Sequence, residues 1–191
     1  KGRQTDRRKE RKLEEHGAIA LEVADDIDSR QALLPVLLAQ KSRGYQELGV
    51  TDLCADEAHR AFLHRVTFET DLCHLSGLRV GSQLAATHWG LLYGGRLYYL
   101  LPAYDRGDLA ARSPGALLCQ RLLQWGIQNG VHTFDFTVGD EPYKARWCEV
   151  TTPLYDGLHA RTLWGRVCTL VLDSRRAAKR RIKASRLFPW L

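Results

Sequence analysis

The chain has 191 residues, 45% of them hydrophobic, which is the size and composition of one globular domain with a proper core. No apolar run approaches the roughly 20 residues that cross a bilayer, and no secretory signal is present, so we expect a cytoplasmic protein. The sequence contains no methionine and begins at Lys1, which suggests a piece of something longer.

Cysteine and histidine usage argues against a disulfide framework and against a metal site. The five cysteines are widely spaced without a Cys-x-x-Cys pair, and the seven histidines are scattered. We therefore expect reduced, mostly buried thiols, no catalytic cysteine and no metal. The cysteines are Cys54, Cys73, Cys119, Cys148 and Cys168.

Residues 1–16 contain few apolar side chains and many helix formers, and Gly17 supplies a stop, so this segment predicts a basic leading helix. Its cationic side chains have two interpretations. Either they contact the phosphates of a nucleic acid or another anionic partner, or they form the solvated face of a surface helix. These side chains are Arg7, Arg8, Lys9, Arg11 and Lys12.

Residues 18–23 alternate as a short strand, after which Ser29 is the expected N-cap of a helix. That helix is amphipathic and should end near residues 41–44, with residues 45–52 irregular. A further helix is predicted over residues 56–70.

Three successive strands are predicted over residues 73–80, 82–92 and 96–104, with turns at Gly81 and at residues 93–95. An antiparallel meander followed by a long helix and another strand is typical of an α/β or mixed α+β fold. We therefore expect a twisted, mostly antiparallel sheet flanked by helices.

His88 and Trp89 lie in the middle strand of the meander. Both are candidate substrate-binding residues that would line an acceptor pocket. The competing interpretation is structural, because a histidine in a strand is commonly packed or hydrogen-bonded within the core.

A helix opens on Ser113-Pro114-Gly115 and ends at Asn129-Gly130. Ser113 is expected to cap the first turn through its hydroxyl, and Pro114 suits the first helical position, where no amide proton is needed. Free first-turn amides and the helix dipole together favour a phosphate or pyrophosphate at such a start. The alternative is a well-capped core helix without a ligand.

The strand predicted over residues 132–136 points Phe134 and Phe136 to one face and Asp135 to the other. A buried carboxylate without partners is costly. Asp135 is therefore either a substrate-binding residue near an active cleft or a buried group with hydrogen-bond donors.

Directly beyond that strand, Asp140, Glu141, Tyr143 and Lys144 bring together two acids, a phenol and an amine. Ligands gather at the carboxyl ends of strands in open α/β sheets, so these four are the candidate catalytic residues. Asp140 or Glu141 would take a proton from an attacking ammonium, directly or through water. The alternative is a polar loop that begins a short helix, with Lys144 paired to an acid.

Residues 149–159 are expected to return as one or two closing strands, and a long helix is predicted over residues 161–185. Basic residues and an aromatic end define a tail over residues 175–191. That tail has three interpretations. It touches anionic lipid head groups at the inner face of the membrane, it touches RNA, or it is a soluble extension.

The order of strand, Arg-Ser-Pro-Gly helix, Phe-Asp-Phe strand and Gly-Asp-Glu-Pro-Tyr-Lys loop resembles the GNAT acyltransferase superfamily. The similarity is in particular to its branch named after acetyltransferases of bacterial cellulose biosynthesis (CelD/BcsL type), which is similar in turn to Fem-type peptidoglycan aminoacyltransferases. It spans about residues 7–147 and is most specific at residues 113–115 and 140–144. It implies a GNAT-like sheet and helices, with a long C-terminal helix after them.

This resemblance implies an N-acyltransferase that moves an acyl group from acetyl-CoA or another acyl-CoA to an amine, in cell-envelope or exopolysaccharide metabolism. GNAT enzymes hold the acyl-CoA pyrophosphate in a loop of pattern Gln/Arg-x-x-Gly-x-Gly/Ala. On that pattern Arg112, Ser113, Gly115 and Ala116 are donor-binding residues, whereas Leu117 stands where a small residue belongs.

The resemblance also assigns roles beyond the donor loop. Tyr143 lies where many GNAT enzymes carry the tyrosine that protonates the leaving thiolate, and Lys144 is characteristic of the resembled branch and would hold an acidic substrate group. Two GNAT-like halves often occur in tandem there, so residues 1–191 are expected to be a single domain that partners a preceding half of the same chain.

Two alternatives to acyl-CoA chemistry stay open. One is a Fem-like transferase that uses aminoacyl-tRNA, for which the basic ends are the supporting feature. The other is a non-catalytic GNAT-like half that serves as a binding or structural module, for which Leu117 is the supporting feature.

Overall fold

The computed structural model describes residues 2–139, 141–155 and 157–184. The chain divides into two compact units, Lys1–Arg146 and Trp147–Leu191. Within the described residues the first unit contains four α-helices and five strands, and the second contains one α-helix. The helices are α1 (Gly2–Glu14), α2 (Ile27–Leu48), α3 (Glu57–Glu69), α4 (Pro114–Gln128) and α5 (Leu163–Ala184), and the strands are β1 (Ile19–Val23), β2 (Cys73–Val80), β3 (Gln83–Tyr93), β4 (Arg96–Tyr104) and β5 (Thr133–Asp135).

The five described strands form one mixed sheet in the order β1-β2-β3-β4-β5. Neighbouring strands from β1 to β4 run antiparallel. β5 instead runs parallel to β4, with Arg96 opposite Thr133 and Tyr98 opposite Asp135. The prediction of a mostly antiparallel sheet flanked by helices, with a long helix after it, is confirmed.

Helices cover both faces of the sheet. Successive residues of a strand point to opposite faces, so each strand contributes side chains to both layers. On one face, Thr87 donates from Oγ1 to Gln40 Oε1 of α2 at 2.8 Å, and Trp89 donates from Nε1 to Thr67 Oγ1 of α3 at 2.9 Å. α4 packs on the other face. There its Trp125 ring lies 4.4 Å from the ring of His74.

The core beneath α2 and α3 is an apolar cluster drawn from both helices and from the central strands. Burying one leucine side chain contributes roughly 1.5–3 kcal/mol, so this layer is a large share of the stability of the unit. Its buried members are Ala24, Leu33, Leu34, Leu37, Leu63, Cys73, Leu75 and Trp89.

α1 confirms the predicted leading helix but corrects the interpretation that it is only solvated. Leu13 is fully buried. Glu10 forms an ion pair with Arg121 of α4, and Asp6 forms one with Arg146. One side of α1 is therefore packed against the rest of the first unit.

The first turn of α2 corrects the predicted N-cap. Asp26, not Ser29, is the capping residue, and its Oδ1 accepts from the Ser29 amide at 2.7 Å. The Ser29 hydroxyl accepts in return from the Asp26 amide at 3.3 Å, which completes a capping box. Ser29 is thus the third helical residue.

α2 also runs beyond its predicted end, to Leu48, so the irregular segment predicted from residue 45 is wrong for its first turn. Gly49 ends the helix with a φ of 64°. Gly44 is not a stop. A Cβ there would lie 3.2 Å from Nη2 of Arg106, so the glycine leaves space for the Arg106 side chain against the surface of α2.

The meander is the part of the sheet that the sequence predicts best. β2 and β4 have the predicted bounds, and β3 is displaced by one residue. Gly81, Gly94 and Gly95 have φ values of 57°, 55° and 70°, which side-chain-bearing residues rarely adopt. β5 is shorter than the predicted strand over residues 132–136.

The second unit contradicts the closing strands predicted over residues 149–159. Its described residues before α5 form no strand. Pro153 lacks an amide proton for a sheet ladder, which disfavours a strand through this segment. The long C-terminal helix is confirmed as α5, whereas residues 185–191 of the predicted tail lie outside the described residues. None of the described helices is both long and apolar enough to cross a membrane.

Candidate active site

β4 is longer than the strand that pairs with its outer edge. β5 ends at Asp135, opposite Tyr98, so residues 99–104 of β4 have no strand partner on that side among the described residues. Pro102 lies in this stretch, and a proline fits where a ladder hydrogen bond is missing, because it has no amide proton. We call residues 99–104 the open edge of β4.

α4 begins at Pro114, as predicted, but its start differs from a serine cap. Ser113 has a φ of 56°, and its hydroxyl makes no capping hydrogen bond. Its carbonyl oxygen accepts from the amides of Ala116 and Leu117 at 3.1 and 3.3 Å. Among the described residues the Gly115 amide makes no backbone hydrogen bond, so it is the free donor of the first turn.

The charges around the start of α4 are positive. Lys9 of α1 donates from Nζ to Ser113 Oγ at 2.8 Å, and the first turn of α4 contains no acidic residue. Arg112 donates from Nη1 to the Asp108 carbonyl oxygen at 2.7 Å, and its Nε is buried without a partner in the described structure. Arg112 thus binds the backbone of Asp108 and not its carboxylate.

Leu117, the residue that departs from the donor-loop pattern, does not block this start. Its side chain is only 7% exposed and belongs to the core, whereas Ala116 is exposed. The larger side chain therefore adds packing without filling the space in front of the first turn.

Asp135 holds the chain where it leaves the sheet. Its Oδ2 accepts from Arg96 Nη1 at 2.9 Å, and its Oδ1 accepts from the Thr137 amide at 2.8 Å. Thr137 has a φ of 57°, an unusual conformation for a β-branched residue. These contacts give Asp135 a positioning role in the turn after β5.

Glu141 and Lys144 form an ion pair in the loop that follows, with Nζ 2.8 Å from Oε2. Lys144 also donates from Nζ to the Val138 carbonyl oxygen at 3.0 Å, and the residue is 9% exposed. This is the pairing that the polar-loop alternative predicted. Asp140 lies outside the described residues, and catalytic roles for these residues stay predictions.

Tyr143 lies beside the aromatic cluster at the end of the sheet. Its ring meets the edge of the Phe136 ring at 6.2 Å, and Phe136 meets Tyr99 at 5.5 Å. Burial raises the pKa of Tyr99 well above its usual range, and the neighbouring Cys119 and Tyr143 raise it further. Tyr143 is 43% exposed, so its phenol connects this cluster with solvent.

α1 connects the start of α4 with the loop after β5. Asp6 and Lys9 are three residues apart and therefore neighbours on one face of the helix. Asp6 pairs with Arg146, two residues after Lys144, whereas Lys9 reaches Ser113. The predicted donor-binding and catalytic segments thus lie at the same end of the first unit.

His88 and Trp89 are not brought into that arrangement. They point to opposite faces of β3, and both are buried, at 0% and 2% exposure. The His88 ring stacks on Tyr99 at 4.5 Å, and Trp89 is bonded to Thr67 in the core. Because they are buried on opposite faces of the strand, the two side chains do not line one shared pocket in the described part of the chain.

A set of buried polar side chains, His74, Ser76 and His88, lies beneath α4. Both ring nitrogens of His74 and of His88, and the hydroxyl of Ser76, have no hydrogen-bond partner in the described structure. Burial lowers the pKa of His74 to about 4 and that of His88 well below its usual range. A Cβ at Gly90 would lie 2.7 Å from the His88 ring, so the glycine leaves space for it.

Two residues of this site escaped sequence reasoning. Lys9 was one cation among several, and its contact with Ser113 joins residues far apart in the chain. Thr137 carried no signal, since nothing local marks a threonine for a positive φ. Among the described residues no group of three or more His, Cys, Asp or Glu side chains could hold a metal ion.

Comparison with known families identifies the domain. A family model described as an acetyltransferase (GNAT) domain matches residues 1–145. The chain belongs to this GNAT family. Comparison with curated proteins gave no match.

One of the three solved structures that follow shares the fold of this domain. An aminoglycoside acetyltransferase from an uncultured soil metagenomic sample is 14% identical, with 74% of this chain and 98% of that chain covered and a TM-score of 0.51. A possible acetyltransferase from Clostridium difficile 630 is 13% identical, covering 74% and 99%, with a TM-score of 0.49. A predicted acetyltransferase from Clostridium acetobutylicum, solved with acetyl-CoA, is 16% identical, covering 73% and 95%, with a TM-score of 0.46. At these identities the first likeness shows the fold alone.

The buried histidines should make the domain acid-sensitive. An unfolded histidine takes up a proton near pH 6.5, whereas folded His74 stays neutral down to a pKa of about 4. Stability is therefore lost as the pH falls from 6.5 towards 4, by about 2 kcal/mol between roughly pH 7 and pH 5 from His74 alone. Urea unfolding at both pH values measures this loss, which His74→Phe should reduce and the exposed control His16→Gln should not. An unchanged pH dependence in His74→Phe would contradict the assignment.

The contacts of Lys144 should stabilise the folded domain as well as hold the loop after β5 in place. We expect Lys144→Met to lower the free energy of unfolding by about 1–3 kcal/mol, because the Val138 carbonyl and the Glu141 carboxylate lose their cation. The matched control is Arg65→Met, which breaks the exposed pair with Glu69 and should cost at most about 0.5 kcal/mol. Equal losses in urea titrations of the two variants would argue against a buried, structure-forming pair.

Proposed function

We propose that this GNAT domain transfers an acyl group, with acetyl as the first candidate, from acyl-CoA to an amine. The observation that carries the proposal is the convergence of three features at one end of the unit. They are the open edge of β4, the positively charged start of α4 and the loop that contains Glu141, Tyr143 and Lys144.

The start of α4 suits the phosphates of the donor. The Gly115 amide is a free donor, the helix dipole adds partial positive charge, and the Lys9 ammonium lies at Ser113 Oγ. A Cβ at Gly115 would touch the Tyr104 ring at 3.5 Å, so the missing side chain keeps the backbone open next to that ring. A pyrophosphate bound here would direct the acyl chain along the open edge.

The chemistry follows from the groups at the open edge. The acceptor amine attacks the thioester carbonyl, a C–N bond forms, and the oxygen takes up negative charge that a backbone amide of the open edge stabilises. The C–S bond then breaks, and the CoA thiolate takes a proton from Tyr143. Glu141 or Asp140 takes the proton that the acceptor nitrogen loses once the C–N bond has formed, and Tyr143 regains its proton from solvent before the next turnover.

The biological setting is proposed on the resemblance to the CelD/BcsL branch and its Fem-type relatives. An amine on a cell-envelope or exopolysaccharide precursor would be the acceptor, and a preceding GNAT-like half of the same chain would be a partner. The basic tail would hold a cytoplasmic protein at the inner membrane face.

One observation favours a second donor, an aminoacyl-tRNA. Arg7, Arg8 and Arg11 are exposed on the side of α1 that does not pack against α4. Such a row of cations suits the phosphate backbone of a tRNA, and the affinity for that tRNA would fall steeply as the salt concentration rises. A tRNA that binds only at low salt, together with no CoA-ester turnover, would favour this donor.

The direct test is turnover of acetyl-CoA with a panel of amines. Because the chain contains free cysteines, released CoA is best quantified by chromatography and not with a thiol reagent. Acetyl-CoA should raise the melting temperature, and at least one amine should accelerate CoA release. Absence of both effects would contradict the proposed function.

Lys9 should contribute to donor binding. We expect Lys9→Met to weaken acetyl-CoA binding about five- to tenfold, because a charge-assisted contact near the pyrophosphate is lost. Calorimetric titration measures this change. Lys12→Met removes the same charge from an exposed position of the same helix and should change the affinity by less than about twofold. Equal effects of the two variants would point to a general charge effect.

Tyr143 should act on the chemical step and not on binding. We expect Tyr143→Phe to lower kcat roughly 10²-fold, because the thiolate would leave without its proton donor. Affinity for acetyl-CoA, measured by titration, should stay close to that of the unmodified protein. The control Tyr93→Phe removes the hydroxyl of an exposed tyrosine on β3 and should leave kcat unchanged. A normal kcat in Tyr143→Phe would exclude this role.

A further inference from the structure

Lys41, on α2, lies against the open edge of β4. Its Nζ donates to the Pro102 carbonyl oxygen at 3.1 Å and lies 5.3 Å from the centre of the Tyr45 ring. The ammonium thus sits between an aromatic face and the strand where the proposed reaction takes place.

This ammonium lacks the anion that a partly buried cation needs. It forms no ion pair in the described structure, whereas Lys144 has both a carbonyl oxygen and the Glu141 carboxylate. Desolvation lowers the pKa of Lys41, the nearby Cys54 raises it in part, and the nearby Arg106 lowers it again. A desolvated cation beside a second cation is unfavourable unless an anion joins it.

A pocket of about 80 Å³ adjoins this ammonium, several times the roughly 15 Å³ that one water needs. Its walls combine cations with aromatic and apolar groups. The walls include Lys41, Tyr45, Leu48, Pro102, Tyr104 and Arg106.

The second cation of the pocket is fixed in place. Arg106 pairs with Glu47 at 2.8 Å, and its guanidinium lies 4.6 Å from the centre of the Tyr104 ring. Gly44 has no side chain and so leaves the space that the Arg106 guanidinium occupies. Because Arg106 has its own carboxylate, the uncompensated charge of the pocket belongs to Lys41.

The pocket is electrostatically connected with the candidate catalytic loop. Glu141 is close enough to favour the charged form of Lys41, although it is the weakest of the influences on that lysine. Because the Lys41 ammonium contacts the Pro102 carbonyl oxygen, an anionic group bound at Lys41 would lie against the open edge of β4.

We propose that the Lys41 pocket is an anion subsite that selects acceptors carrying a carboxylate or phosphate a few bonds from the reactive amine. This inference rests on the proposed acyl transfer and adds the substrate class to it. A phosphate of the acyl-CoA donor would offer Lys41 the same chemistry, so the test separates the two sources.

The test uses two pairs of amines that differ in the anionic group, β-alanine with β-alaninamide and O-phosphoethanolamine with ethanolamine. We expect the unmodified protein to acetylate the acidic member of at least one pair with a kcat/KM about tenfold higher. Lys41→Met should remove this preference through KM and leave the neutral amine within about twofold, and Lys41→Arg should restore part of it. Arg43→Gln is the matched control, since it removes an exposed cation of α2 that does not line the pocket.

A second measurement does not need turnover. Without acetyl-CoA, millimolar O-phosphoethanolamine should raise the melting temperature of the unmodified protein and of Arg43→Gln, but not of Lys41→Met. A Lys41-dependent shift, together with neither a melting shift from acetyl-CoA nor any CoA release, would contradict the proposed transfer and keep the anion subsite.

Three outcomes would overturn the inference itself. One is an equal melting shift in Lys41→Met and the unmodified protein, and another is no shift in either. The third is a Lys41→Met variant whose KM rises for acetyl-CoA and not for the acidic amine, because the donor phosphate would then occupy the pocket.

Discussion

The parallel pairing of β4 with β5 is the constraint on which the site depends. A parallel neighbour requires a crossover, here α4, which must return the chain from the end of β4 to its beginning. The start of α4 is therefore forced to the carboxyl end of β4. Since β5 stops pairing after Tyr98, the open edge lies at that same end. The topology thus places the start of α4, with its free amide, beside the open edge of β4.

Backbone strain flanks this opening on both sides. In the described chain the non-glycine residues with positive φ are Ser113, before α4, and Thr137, after β5. Such conformations cost on the order of 1–3 kcal/mol each, so surrounding contacts must hold them. Lys9 binds the Ser113 hydroxyl, and Asp135 binds the Thr137 amide. These contacts hold the turn before α4 and the turn after β5, which lie on either side of the open edge.

Local sequence signals account for much of the sheet and little of the site. The bounds of β2 and β4 follow from alternation and from glycine turns, which are local. The Glu141–Lys144 pair spans three residues, and so it was open to prediction. In contrast, the predicted end of α2 near residues 41–44 is wrong because Gly44 makes room for Arg106, which lies far along the chain. The contact of Lys9 with Ser113 also joins distant residues, so no local pattern indicates it.

Charge balance limits what the opening can bind. Glu141 lies 2.8 Å from the Lys144 ammonium, and it is the weakest influence on Lys41. Coulomb energy falls with distance, so one carboxylate paired at contact cannot also neutralise a second lysine farther away. The described side chains between α2 and the loop therefore retain positive charge. An anionic group would lower the energy of this arrangement, and a cationic group placed there would raise it. Under the proposed acyl transfer, a neutral amine, or an amine that carries an anionic group, would therefore enter this region at a lower energy cost than a bare ammonium.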